Sequence, residues 1–118
     1  MKTKITFLLG VCALFFLSSC LEQAKIQVTN HVHNVRLENI SFSTNRIGSN
    51  LYPGETTEMT IRHSSDENFF PQSAQLEFYM VKGDKRVYLK TKESFFIDED
   101  ETLKIVIDDA TELINPMN

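Results

Sequence analysis

The chain reads as all-β: a single seven-stranded antiparallel β-sandwich that follows a cleaved signal peptide. Three features predict this. Apolar and polar residues alternate with period two through most of the chain. Turn-forming clusters recur about every ten residues, the spacing of a sandwich or barrel. No segment carries a convincing helical stripe.

The first segment is a leader. Lys2 and Lys4 open it, and residues 5–17 carry no charge. A helix over that run rises only about 20 Å, short of a hydrocarbon core of roughly 30 Å. A basic start, a short apolar run and small residues before a cut define an export signal. Leu17-Ser18-Ser19-Cys20 resembles the lipobox of bacterial lipoproteins. That resemblance implies cleavage before Cys20 and a thioether-linked diacylglycerol on its sulfur, usually with a further amide-linked acyl chain. Several acyl chains make release from a bilayer negligible. Cys12 leaves with the leader and Cys20 is consumed by the lipid, so no thiol is left for a disulfide, metal or nucleophile. The expected divisions are a signal peptide over 1–19, a lipidated end and short tether over 20–24, a sandwich over 25–108 and a tail over 109–118.

The strands follow in order. Ile26 and Val28 alternate with Lys25, Gln27 and Thr29. Val35 and Leu37 share a face, and Ile40 and Phe42 resume it only if Glu38-Asn39 forms a bulge. Tyr52-Pro53-Gly54-Glu55 is a turn, because proline presets φ and glycine accepts a positive one. Thr57, Met59 and Ile61 form the next strand, and a polar loop covers 64–73. Leu76, Phe78 and Met80 lead through a Gly83-Asp84 hairpin to Val87 and Leu89. Phe95 and Ile97 precede the turn Asp98-Glu99-Asp100-Glu101, and Leu103, Ile105 and Ile107 close the series. In the tail, Asp108 or Asp109 can cap a single helical turn that Pro116 stops. Phe42, Phe69, Phe70, Phe78, Phe95 and Phe96 supply aromatic volume for the core.

Ile26-Gln27-Val28-Thr29-Asn30, Leu51-Tyr52-Pro53-Gly54-Glu55-Thr56 and Tyr88-Leu89-Lys90 together resemble small exported lipoproteins of Bacteroidota. The resemblance implies one immunoglobulin- or transthyretin-like sandwich of unassigned function, and it brings no site residues with it.

Charge and motifs narrow the function. Loss of Lys2 and Lys4 with the leader takes the formal net charge from −4 to −6. That balance argues against nucleic acid and against lying flat on an anionic leaflet. There is no Gly-x-Ser-x-Gly elbow, no His-Glu-x-x-His and no phosphate-cradling glycine loop, so no enzyme is expected. His31 and His33 flank Val32 and point the same way, but a metal site needs a third ligand, with His63 as the candidate. They read as solvated, and no metal or cofactor is assigned. The acidic turn at 98–101 lacks the spacing of a calcium loop and reads as a charged guard against edge pairing. Phe69-Phe70 lie in a polar loop, either as a plug on the open end of the sandwich or as a partner-binding tip.

The expected role is that of a lipid-anchored, non-catalytic binding or assembly module in the cell envelope. It is held to the cell membrane or outer membrane, with a protein or glycan partner. The alternatives are a small-ligand carrier with a cavity between sheets, or an immunity or inhibitor protein acting through its acidic face.

Overall fold

The computed structural model describes residues 21–64 and 69–117. The expected leader, with Leu17, Ser18 and Ser19 of the lipobox-like tetrapeptide and Cys20, lies outside the described residues. Those described are all-β, with no helix.

Ten strands run in chain order: β1 (Leu21–His31), β2 (Arg36–Phe42), β3 (Asn45–Leu51), β4 (Thr56–Ser64), β5 (Gln72–Ala74), β6 (Leu76–Lys82), β7 (Lys85–Thr91), β8 (Phe95–Ile97), β9 (Thr102–Asp108) and β10 (Leu113–Ile114). They form a three-stranded sheet ordered β4-β1-β9, a five-stranded sheet ordered β10-β7-β6-β2-β3, and a β5-β8 pair. The inward faces of the two larger sheets merge in one cluster. Ile26 and Val28 on β1 and Ile107 on β9 meet Leu37, Ile40, Phe42, Leu76 and Phe78 from the other sheet, all fully buried. Each such side chain contributes about 1.5–3 kcal/mol by leaving water.

The anticipated bulge explains why β2 keeps one face. Pairing with β6 shifts register between Glu38 and Ser41, and Asn39 takes φ 51°. The extra residue returns Ile40 and Phe42 to the side of Leu37, so that all three are buried. The Pro53-Gly54 turn also forms, with Gly54 at φ 86° and Glu55 N–H donating to the Tyr52 carbonyl at 3.0 Å. Gly83 at φ 61° opens the two-residue β6–β7 hairpin.

Several expectations are corrected. The seven strands anticipated correspond to β1, β2, β4, β6, β7, β8 and β9; β3, β5 and β10 add to them. β3 holds only Ile47 and Leu51 as apolar residues and has Gly48 at its centre, so it shows no alternation to count. The glycine has a packing reason: a Cβ there would meet Thr57 Cγ2 at 3.1 Å. The sheets are not wholly antiparallel either, because β1 and β9 pair in parallel from Lys25↔Thr102 to His31↔Asp108. Residues 21–24, expected as tether, belong to β1 and pair with β4. Asp108 does cap, its Oδ1 accepting from Ala110 N–H at 2.9 Å. The turn it caps leads into β10 on the edge of β7, with no helical turn. Finally, Phe96 points outward with 60% exposure while Ile97 is buried, so Phe96 is no part of the core.

Candidate functional site

The outer face of the five-stranded sheet carries the most organised set of exposed side chains. Its composition follows from register. Cross-strand pairing puts Glu38 beside Tyr79 and Tyr79 beside Tyr88, while Arg36, Val81 and Arg86 line up in the next row. Residues paired across strands share a face, so both rows point away from the core.

The side chains interlock. The Glu38 carboxylate accepts from Arg36 Nη2 at 2.8 Å and from Arg86 Nε at 3.0 Å. The Arg86 guanidinium lies 3.7 Å from the Tyr79 ring centroid, in cation–π range. The rings of Tyr79 and Tyr88 are 5.2 Å apart and tilted at 60°. Tyr88 donates its hydroxyl to Glu77. Arg36 lies 5.6 Å from the ring of Tyr52, which is exposed. Two titrations respond. The hydrogen bond from Arg36, with help from Arg86, holds the Glu38 carboxyl below its ordinary range against partial desolvation. The bond to Glu77, then burial, pushes the Tyr88 phenol up to about 12. Neither change creates a nucleophile or a base near neutral pH. The face sets aromatic surface, guanidinium donors and carboxylate acceptors side by side.

Charge is segregated in the same way. Strands of the five-stranded sheet hold six basic residues, Arg36, Arg46, Lys82, Lys85, Arg86 and Lys90, against the two acids Glu38 and Glu77. Among the described residues, nine of fourteen acids lie outside the strands. By register Lys82 and Lys85 lie on the opposite side of the sheet, so the outer face itself carries Arg36, Arg46, Arg86 and Lys90 against Glu38 and Glu77.

The residues singled out from sequence fall elsewhere. Phe70 is 9% exposed within the core cluster and Phe69 packs against that cluster, their rings edge-on at 4.8 Å. The burial is that of a plug, and a partner-binding tip would require both to leave the interior. His31 and His33 are exposed on either side of buried Val32. His63, the candidate third ligand, pairs with Glu22 at the far end of β1, about 30 Å along the strand. Among the described residues no three His, Cys, Asp or Glu side chains group as metal ligands. The acidic turn is a clasp: Asp98 N–H donates to Glu101 Oε1 at 2.8 Å, and Asp100 N–H to the Gln23 carbonyl at 2.7 Å. Partial desolvation, then Glu22, Asp100 and Asp98, raise the Glu99 carboxyl.

A second feature is a half-open cleft of about 470 Å³ beside β9. Phe95, Val106 and Ala110 give it apolar walls, and the 3.3 Å Lys92–Glu112 ion pair lies on its rim.

The tyrosine face escaped sequence reading because outward positions were treated as generic solvated ones. A signal existed: the Gly83-Asp84 turn fixes the register that sets Tyr79 opposite Tyr88. The chain matches no protein-family model, no curated protein and no solved structure.

Proposed function

We propose that the protein is a lipid-anchored, non-catalytic binding module of the cell envelope, built on an immunoglobulin- or transthyretin-like sandwich. Its working surface is the outer face of the five-stranded sheet. The observation that carries this reading is the array running from Tyr52 through Arg36, Glu38, Arg86, Tyr79 and Tyr88 to Glu77, which stands on the solvent side of the sheet. Tyrosine and arginine are the residue types that dominate recognition surfaces, and none of these is needed to fill the core. The outer face of the other sheet offers a contrast. There Gln27, Glu58, Thr29 and Thr56 bond among themselves and present no aromatic ring.

Anchoring rests on the leader and on Cys20. Because β1 begins at Leu21, acyl chains on Cys20 would hold the domain with almost no slack, a residue spanning only about 3.5 Å. The partner is therefore a component of the same membrane or of the wall beside it. Metabolic labelling with a fatty acid tests the anchor. The wild-type chain takes up label and sediments with membranes, whereas Cys20→Ser stays unlabelled and uncut. Processing of that variant at the same bond would refute the lipoprotein assignment.

The cleft beside β9 favours a second reading, that of a small-ligand carrier. Its volume suits a compact amphipathic molecule, with Phe95 and Val106 against the apolar part.

A further inference from the structure

We propose that the outer face of the five-stranded sheet holds a carboxylate-bearing polysaccharide, an inference that rests on the binding-face reading and names its ligand. The register supplies the pattern. Tyr79 and Tyr88 form a central row with Glu38. One row to one side stand Arg36 and Arg86, which pair with Val81 between them. One row to the other side stand Arg46 on β3 and Lys90 on β7, with Ser41 and Glu77 between. Adjacent rows are about 7 Å apart and adjacent strands about 4.8 Å. The aromatic row is thus bracketed by two cations on each side, spread over about 10–14 Å. A compact anion would reach one of these cations, whereas an extended polymer running across the strands passes all four.

The chemistry of the face selects among polyanions. The carboxylates of Glu38 and Glu77 stand among the cations and repel any polyanion, and a chain of phosphates brings no hydroxyl donors to offset that repulsion. Sugar hydroxyls do bring donors, and sugar carboxylates match the guanidinium fork of arginine. Arg86 covers one face of Tyr79 and the Tyr88 hydroxyl is engaged with Glu77, so contact to the C–H faces of the sugars falls to the remaining ring surface of this tyrosine pair. The existing ion pairs are no obstacle. The side chains of Arg36 and Arg86 are 32% and 47% exposed. Glu38 is 20% exposed and keeps one arginine while the other, partly wetted, turns to a ligand carboxylate. The four cations that stand against two acids on this face, within a chain of net charge −4, supply the complementary field.

Binding of the full-length chain in detergent to polygalacturonate tests the inference, with dextran as neutral control and inorganic polyphosphate as an anion without hydroxyls. Polygalacturonate should bind, dextran should not, and polyphosphate should bind more weakly. Lys90→Gln, a surface change, and Arg86→Gln, whose melting is measured alongside because it also loses the Glu38 pair, should each weaken the complex about tenfold. Tyr79→Ala should weaken it with no loss of charge. Equal affinity for polyphosphate, or indifference to Tyr79→Ala, overturns the polysaccharide assignment in favour of bare electrostatics. Failure to bind polygalacturonate, with cross-links in native membranes still arising from this face, overturns the ligand and keeps the binding face. Failure of both removes the binding face as well.

Discussion

Asn30, fully buried at the end of β1, donates from its side-chain amide to the carbonyl of Leu51 at 2.9 Å. The same amide reaches the Val35 carbonyl at 2.7 Å, and its oxygen accepts from Val32 N–H at 2.9 Å. The backbone of Asn30 adds two bonds to the Pro53-Gly54 turn, from Gly54 N–H and to the Glu55 carbonyl. One residue thus joins the β1–β2 loop, the end of β3 and the β3–β4 turn. The Ile-x-Val-x-Asn strand and the Leu-x-Pro-Gly-Glu-Thr turn are two halves of a single clasp.

Asn30→Asp keeps the shape of the side chain and removes both donors, leaving a carboxylate against two buried carbonyls. Chemical denaturation should register a loss of about 3 kcal/mol, at least as large as for Asn30→Ala. A loss below about 1 kcal/mol would mean that water replaces the amide and that the clasp is not structural.

Tyr88 gives an alkaline signature. Its phenol is raised to about 12, so the folded state favours the neutral form. That contribution is complete below the ordinary phenol value of 10.0 and disappears as pH rises through about 12. Spectrophotometric titration should show one of the three tyrosines ionising late. Glu77→Gln should bring that transition down, and Tyr88→Phe should remove it. A wild-type curve without a late component rules out the Tyr88–Glu77 bond in solution.

Glu38 acts at the other end of the scale. Its lowered carboxyl means that the charged form is favoured on folding, a contribution present above the ordinary carboxylate value of 4.5 and lost as pH falls through the folded value. Glu38→Gln should lower stability in the neutral region, where the charged carboxylate contributes, and converge with wild type below the folded value, so that the acid limb is flattened. An acid limb identical in wild type and variant would show that the two arginines do not hold this carboxylate.

The Phe69-Phe70 loop separates packing from recognition. Phe70→Ala should cost about 3 kcal/mol as a core deletion, and Phe69→Ala about half as much because it is only partly covered. Unchanged melting of both variants would restore the exposed-tip reading.

Legibility in the sequence tracked local chemistry. The β2 bulge could be deduced because a three-residue gap between Leu37 and Ile40 breaks a two-residue period. The Pro53-Gly54 and Gly83-Asp84 turns could be deduced because proline and glycine constrain φ. What stayed hidden depends on partners distant in sequence. β3 has too few apolar residues to show a face until it lies beside β2, with Gly48 over Thr57. The parallel pairing of β1 with β9 joins residues some eighty positions apart, and no local signal encodes such a pairing. The tyrosine–arginine array was hidden differently, since period two shows which residues point outward but not which outward residues become neighbours. Arg36, Glu38 and Arg86 meet only through the order β7-β6-β2.

Photocross-linking in native membranes is the most direct test of where this protein makes contact. Probes at Arg46 and Lys90 sample the outer face of the five-stranded sheet, and probes at Glu58 and Lys104 sample the outer face of the other. Adducts should form from the first pair, fade when Tyr79→Ala is added, and be scarce from the second. Adducts confined to Glu58 and Lys104, or unaffected by the loss of Tyr79, would contradict a tyrosine–arginine recognition face.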